Sequence, residues 1–185
     1  MESISFEVIV ILSLILLNGF LAMSEMAIVS SSKIRLQSLA NQGRNGARMA
    51  LTLLDNPNDL LASVQVGITM VGVLVGAYGG STVSDKVGSA LRLNFPALDE
   101  YANGIGLGIV VVISTFLSLV LGELVPKRLA LSSPERTASS VSPFISLISV
   151  FFRPVVRMLA ISTEWILRIL RLDKVSQPQV TEEEV

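Results

Sequence analysis

The chain has 185 residues, of which 51% are hydrophobic and 16% charged, and its net charge is −1. A soluble domain carries about a quarter charged residues, so this composition indicates an integral membrane protein. The near-neutral charge gives no basic excess to attract nucleic acid. The absence of cysteine and histidine excludes disulfides, thiolate zinc sites, cysteine nucleophiles and histidine bases. Any bound metal ion must therefore be held by oxygen atoms, which favours hard cations such as magnesium, calcium or sodium.

Three long stretches of the chain contain no charged residue. They cover residues 8–24, 60–84 and 101–122. Each is close to the about 20 residues that a helix needs to cross about 30 Å of hydrocarbon. The first stretch follows Glu2 and Glu7 rather than a basic segment, so it is typical of a retained span and not of a signal peptide.

These stretches predict an all-α membrane protein. Its transmembrane domain, residues 1–172, has three transmembrane helices at about 4–30, 60–82 and 103–126. Lys and Arg are concentrated after the first and third spans and are scarce between the second and third. Because basic loops face the cytoplasm, we expect the N-terminus outside and a multi-pass protein of the plasma membrane. The loop after the first span predicts one helix over about residues 33–54.

Residues 142–172 repeat their polar side chains at helical spacing and are apolar on the opposite face. This pattern predicts an amphipathic juxtamembrane helix on the cytoplasmic side, which Pro154 should bend or divide. The alternative is a fourth span at about residues 141–161. Arg153 and Arg157 disfavour that alternative, because each would cost a few kcal/mol near the bilayer centre.

Residues 173–185 predict a polar linker that ends in the start of a new helix. Thr181 is placed as its N-cap, and Glu184 follows three residues later. We therefore expect the chain to continue into a further domain.

Glu123 lies near the end of the third predicted span, where an acidic side chain is costly. Pro126 has no amide hydrogen, so it leaves the carbonyl of Gly122 free beside the Glu123 carboxylate. These two oxygens form half of a site for a hard cation, at a depth where irregular backbone is tolerated if it lines a site. The sequence supports a second interpretation equally, in which Pro126 only ends the helix and Glu123 pairs with Lys127.

Hydroxyl groups on the first two spans lie at similar depths. Ser24 is nine positions before Lys33, and Thr69 is nine positions after Leu60, which places both roughly 13 Å inside the helices. Both are candidate cation ligands, although each hydroxyl can instead bond to its own helix. Gly67 can let the backbone approach an ion closely.

The second span also carries Gly72 and Gly76, one turn apart. Two small residues at this spacing favour close helix contact, within the protein or between two copies.

Taken together, these motifs resemble the transmembrane domain of the CorC/cyclin M family of magnesium transporters, also called hemolysin-like. The resemblance covers nearly the whole chain in order and spacing. The matching segments are residues 17–20 and 24–27, residues 65–69 with Gly72 and Gly76, and residues 122–127.

The resemblance implies a homodimer in the lipid bilayer, followed by a cytoplasmic pair of CBS domains that binds ATP. It also implies a largely dehydrated Mg²⁺ bound between the spans, with Na⁺ as a coupling ion. By position, the implied metal ligands are Ser24, Glu123, Gly122, Thr69 and Gly67. Many relatives have Asn where this chain has Gly72, so a backbone or water oxygen would replace that side chain here.

We therefore expect a magnesium transporter rather than an enzyme. The alternative is a non-transporting magnesium sensor or a dimeric membrane scaffold that regulates a cytoplasmic domain. An intramembrane hydrolase would need a Ser–Lys pair or paired acids, and no lysine lies inside a predicted span.

Overall fold

The computed structural model describes residues 4–170, apart from the side chains of residues 4, 81 and 98. The regular elements of this part are helical. The first are α1 (Ile4–Val29), α2 (Lys33–Asn41), α3 (Asn45–Asp55) and α4 (Pro57–Tyr78). A first π-helix (Gly79–Val83), α5 (Ser84–Asn94), a 3-10 turn (Pro96–Leu98) and α6 (Ala102–Leu119) follow. The last are a second π-helix (Val120–Leu124), α7 (Val125–Ser132) and α8 (Pro134–Ile169).

Four helical stretches are long and apolar enough to cross a membrane. They are Ser5–Val29, Pro57–Tyr78, Ala102–Ser132 and Pro134–Ile169. The prediction of an all-α, multi-pass membrane protein is confirmed at this level. The count of three spans and the outside position of the N-terminus are not confirmed. Residues 171 and 172 of the predicted juxtamembrane helix, and the predicted linker over 173–185, lie outside the described residues.

The helix α8 is continuous over 36 residues and contains both Pro143 and Pro154. Of the two outcomes expected at Pro154, a bend or a division, the division is therefore wrong. A proline removes one backbone hydrogen bond, while the turns on either side of it stay bonded. The buried residues of α8 all lie in its first third, between Ala138 and Ile145. The remainder of α8 therefore presents most of its surface to lipid, water or another molecule.

The helix α1 lies at the centre of the bundle and packs against α4, α7, α8 and the second π-helix. Its side chains Ile15 and Ile28 are buried in one cluster with Val64 and Val71 of α4 and Ile145 of α8. In a membrane, lipid removes the hydrophobic driving force for helix association. Close packing of this kind therefore holds the helices together.

The predicted single helix over residues 33–54 is wrong, because the chain breaks between α2 and α3. Gly43 has φ 86° there, a left-handed conformation that glycine adopts without steric cost and that commonly ends a helix. The helix α3 then packs closely along α8. A Cβ built on Gly46 would lie 1.8 Å from the Ser139 carbonyl oxygen, so the two backbones approach directly.

The predicted contact through Gly72 and Gly76 is not made within the described part of the chain, since a Cβ on either would meet nothing within 4 Å. A close backbone approach is made instead between α5, which follows the second candidate span, and α6, which belongs to the third. A Cβ on Gly106 would lie 2.8 Å from the Gly88 amide nitrogen and 2.9 Å from the Ser84 carbonyl oxygen.

Candidate functional site

The third candidate span changes its winding just before Pro126. The second π-helix occupies Val120–Leu124, and Pro126 stands in the first turn of α7. Because Pro126 has no amide hydrogen, the Gly122 carbonyl four residues earlier has no α-helical donor. Single π-helical turns inside longer helices are frequently found at functional sites.

The free carbonyl of Gly122 is bonded by α1. Asn18 donates from Nδ2 to the Gly122 carbonyl oxygen across 3.1 Å. The other end of the same amide, Oδ1, is buried and has no hydrogen-bond partner among the described residues. A buried oxygen acceptor without a donor is costly in an apolar environment, so this atom is available to a donor or a cation.

Two glycines allow α1 to reach the second π-helix. A Cβ on Gly19 would lie 2.7 Å from the Leu121 carbonyl oxygen and 2.9 Å from Pro126 Cγ. A Cβ on Gly122 would lie 3.3 Å from Asn18 Nδ2. A side chain at Gly19 would therefore force the two helices apart and break the bond that Asn18 makes.

The role of Asn18 was missed in the sequence, although the residue lies in the segment 17–20 that carries the family resemblance. A signal was present, because Asn18 is an amide side chain in the middle of an uncharged stretch. Inside a lipid bilayer, such a group must find its hydrogen-bond partner within the protein. The partner itself is 104 positions away in the chain and could not be identified from local pattern.

Glu123 is paired with Lys127, as the second interpretation of the sequence proposed. Lys127 Nζ donates to Glu123 Oε1 across 2.7 Å. The two side chains are 44% and 29% exposed for Glu123 and Lys127 respectively. An ionised acid facing lipid is costly, so this pair stabilises the charge of Glu123 while leaving its carboxylate accessible.

Ser24 is fully buried on α1, and its Oγ donates to the Phe20 carbonyl oxygen across 2.7 Å. This is the bond to its own helix that the sequence left open as an alternative. A hydroxyl that donates one bond keeps its lone pairs as acceptors. Ser24 lies five residues beyond Gly19, which is about 7.5 Å further along the helix.

Gly67 and Thr69 point in different directions from α4. Gly67 is buried and faces α1, with the Leu21 Cδ1 atom 3.1 Å from the place of a Cβ. Thr69 is exposed, because two residues along a helix correspond to a rotation of about 200°. The α4 helix thus brings Gly67 to the bundle interior and leaves Thr69 outside it.

No group of three or more acidic side chains that could hold a metal ion occurs among residues 4–170. A metal ion held by these residues would therefore have at most two acidic ligands and would need neutral oxygens as well. Carbonyl, amide and hydroxyl oxygens are acceptable ligands for hard cations.

The bond between Asn18 and Gly122 can be tested with Asn18→Ala. We expect the free energy of unfolding to fall by about 1–2 kcal/mol, because a buried carbonyl loses its donor. Thermal unfolding of the purified protein in detergent measures the change. The control is Ser13→Ala, which removes an exposed hydroxyl bonded to Ile9 of its own helix. Equal losses for the two variants would contradict the assigned role of Asn18.

Comparison with known proteins gives one family match. Residues 9–185 match the family model described as the cyclin M transmembrane N-terminal domain. A UPF0053 protein of Synechocystis sp. is 42% identical over 184 residues, which cover 100% of this chain and 41% of that protein.

Two further relatives match most of this chain. A polyamine export protein of Haemophilus influenzae is 28% identical over 178 residues, covering 96% of this chain and 41% of the relative. The UPF0053 protein YrkA of Bacillus subtilis is 28% identical over 179 residues, covering 96% and 41%. The chain thus spans about two fifths of the length of these relatives. Because the family model covers nearly all of it, the chain belongs to the cyclin M transmembrane domain family.

Proposed function

We propose that this protein binds a small cation where α1 crosses the second π-helix and moves it through the membrane, with Mg²⁺ as the cargo. The observation that carries the proposal is the buried, unpartnered Oδ1 of Asn18 on the same amide that bonds the Gly122 carbonyl. Membership of a family with members named for export is consistent with transport.

In this proposal, Lys127 is the built-in counter-ion of the site. The charge of Glu123 is already compensated by an ammonium group at 2.7 Å. An arriving cation therefore replaces Lys127 at the carboxylate, and Glu123 is not left unpaired at any stage. Such an exchange avoids the several kcal/mol that an unpaired charge in the membrane would cost. When the cation leaves, the Lys127 ammonium group pairs with Glu123 again.

The remaining proposed ligands are neutral. The Gly122 carbonyl is adjacent to Glu123, and Ser24 keeps acceptor lone pairs on its buried oxygen. Gly67 allows close approach of the α4 backbone, whereas Thr69 would join only after α4 rotates. We propose that Na⁺ is the coupling ion.

The exchange predicts opposite effects for the two members of the pair. Glu123→Gln should abolish the rise in unfolding temperature that added Mg²⁺ produces. Lys127→Gln should lower the Mg²⁺ concentration needed for that rise by about tenfold. The variant removes the ammonium group that competes for Glu123, an interaction of about 1.4 kcal/mol. Thermal unfolding across a magnesium titration measures both effects.

Two controls have matched changes of charge. Glu164→Gln removes an exposed acid near the end of α8, and Arg128→Gln removes an exposed cation next to Lys127. Neither should change the magnesium response. A normal response in Glu123→Gln, or a weaker response in Lys127→Gln, would contradict the exchange.

A polyamine is the second candidate cargo. The relative from Haemophilus influenzae is named a polyamine export protein, and the ammonium of Lys127 already occupies the carboxylate of Glu123 as a polyamine ammonium would. Spermidine and Mg²⁺ can be compared in the same titration. Stabilisation by spermidine, without any by Mg²⁺, would favour this second cargo.

A third possibility is a non-transporting magnesium sensor or scaffold. It would form a homodimer through the open face at Gly72 and Gly76 and regulate CBS domains in the part of the full-length protein that follows. Magnesium flux into proteoliposomes separates it from a transporter, because a scaffold binds the ion without moving it.

We further propose a plasma-membrane topology with three spans, an outside N-terminus and α8 lying along the cytoplasmic surface. Support comes from the long contact between α8 and α3. The helix α3 has 11 residues, too few to cross a bilayer, and it connects two spans on one side of the membrane. The part of α8 that packs along α3 therefore stays at that same surface.

This topology can be tested by cysteine labelling, because the chain has no natural cysteine. Single variants Asn41→Cys, Glu100→Cys and Glu164→Cys are treated with a membrane-impermeant maleimide in intact cells. We expect labelling of Glu100→Cys alone. Labelling of Glu164→Cys together with Glu100→Cys would show that α8 crosses the membrane.

A further inference from the structure

A separate cavity lies away from the proposed cation site, between the end of α3, the start of α4 and the middle of α8. Its volume is about 530 Å³. The polar side chains used below are Asn56, Asp59, Ser63, Ser149, Arg153 and Arg157. Asp59 is in the first turn of the second candidate span, so the cavity opens at the level where a membrane has its headgroups.

The cationic wall of the cavity comes from α8. Arg153 and Arg157 are four residues apart, which places them on one face of the helix. Neither belongs to any of the ion pairs found among the described residues. Two exposed guanidinium groups on one cavity wall, with no carboxylate of residues 4–170 bound to either, provide the planar donors that favour phosphate oxygens.

Ser149 supplies an independent sign of a ligand. Its Oγ atom is buried and has no hydrogen-bond partner in the part of the chain that the structure describes, although Ser142 and Ser162 on the same helix donate to the carbonyl four residues earlier. Ser149 is one turn before Arg153 and so points to the same side of α8. A buried hydroxyl without a partner beside two free arginines is best satisfied by an anionic oxygen.

Asp59 limits the charge of that ligand. With two arginines and one carboxylate around it, the cavity has a net charge of about +1, which matches a monoanionic phosphodiester better than a free phosphate dianion. Val150 and Val156 also line the cavity, and Val150 is 59% exposed. These apolar neighbours suit the glycerol backbone and the first methylenes of an acyl chain.

We propose that this cavity, hereafter the headgroup cavity, binds the phosphate of an anionic phospholipid such as phosphatidylglycerol. The arginines hold the phosphate oxygens, Ser149 donates a further hydrogen bond, and Asp59 and Asn56 face the rest of the headgroup. Lipid bound there joins α8 to the start of α4 and therefore stabilises the folded protein.

The test uses the purified protein in detergent with dioctanoyl phosphatidylglycerol as the probe. The rise in unfolding temperature with probe concentration gives an apparent affinity. The double variant Arg153→Gln with Arg157→Gln should lose about tenfold or more in affinity, because two charge-assisted contacts are removed. The matched control, Arg128→Gln with Arg168→Gln, removes two exposed cations that do not line the cavity and should bind normally.

A milder pair of variants keeps all charges. Ser149→Ala should lower the affinity about threefold to tenfold, whereas Ser162→Ala, whose hydroxyl bonds to its own helix, should not change it. If the double arginine variant does not fold, the comparison of Ser149→Ala with Ser162→Ala still tests the proposal.

Two further ligands distinguish the source of the phosphate. Dioctanoyl phosphatidylcholine and inorganic phosphate should each stabilise the protein much less than phosphatidylglycerol. An equal response to inorganic phosphate would overturn the proposal in favour of a soluble-anion site, and an equal response to phosphatidylcholine would overturn the claim of headgroup charge. Equal losses of affinity in the two double variants would overturn the proposal, because they would show a general attraction between the anionic probe and exposed cations.

Discussion

The fold around the candidate site depends on one carbonyl group that loses its α-helical donor to a proline. Pro126 removes the donor for the Gly122 carbonyl, and in a membrane no water is available to replace it. Asn18 supplies the missing hydrogen bond from another helix. For that bond to form, the two backbones must come so close that glycine is required at Gly19, and a Cβ on Gly122 would be tightly packed against Asn18. The proline, the distorted turn and the close packing of the two helices at this crossing therefore all concern the bonding of one carbonyl group.

The electrostatics of the site follow from the same crossing. Glu123 belongs to the distorted turn, and its charge is held by Lys127 one turn later. A carboxylate with a resident cationic partner can stay ionised near the bilayer without a bound ion. In the proposed site, an arriving cation would need only to compete with an ammonium group for the carboxylate. The pairing that the sequence offered as an alternative to ion binding thus becomes the resting state of the proposed site.

Much of this could be predicted from the sequence, because hydropathy, proline and glycine act locally. The all-helical class and the family were predicted in that way. Three features could not be. The donor Asn18 is distant in the chain, the break at Gly43 depends on a single left-handed residue, and the direction of Thr69 depends on how α4 is rotated. The sequence left open whether Pro154 bends or divides α8, since a proline permits either outcome and tertiary packing decides; the helix is undivided there.

The most direct measurement is an anomalous-scattering map of the protein with Mn²⁺ bound in place of Mg²⁺. The account predicts a peak within coordination distance of a Glu123 carboxylate oxygen and of the Gly122 carbonyl or Asn18 amide oxygen, with Lys127 turned away from Glu123. A map in which Mn²⁺ lies elsewhere while Glu123 and Lys127 remain paired would contradict it.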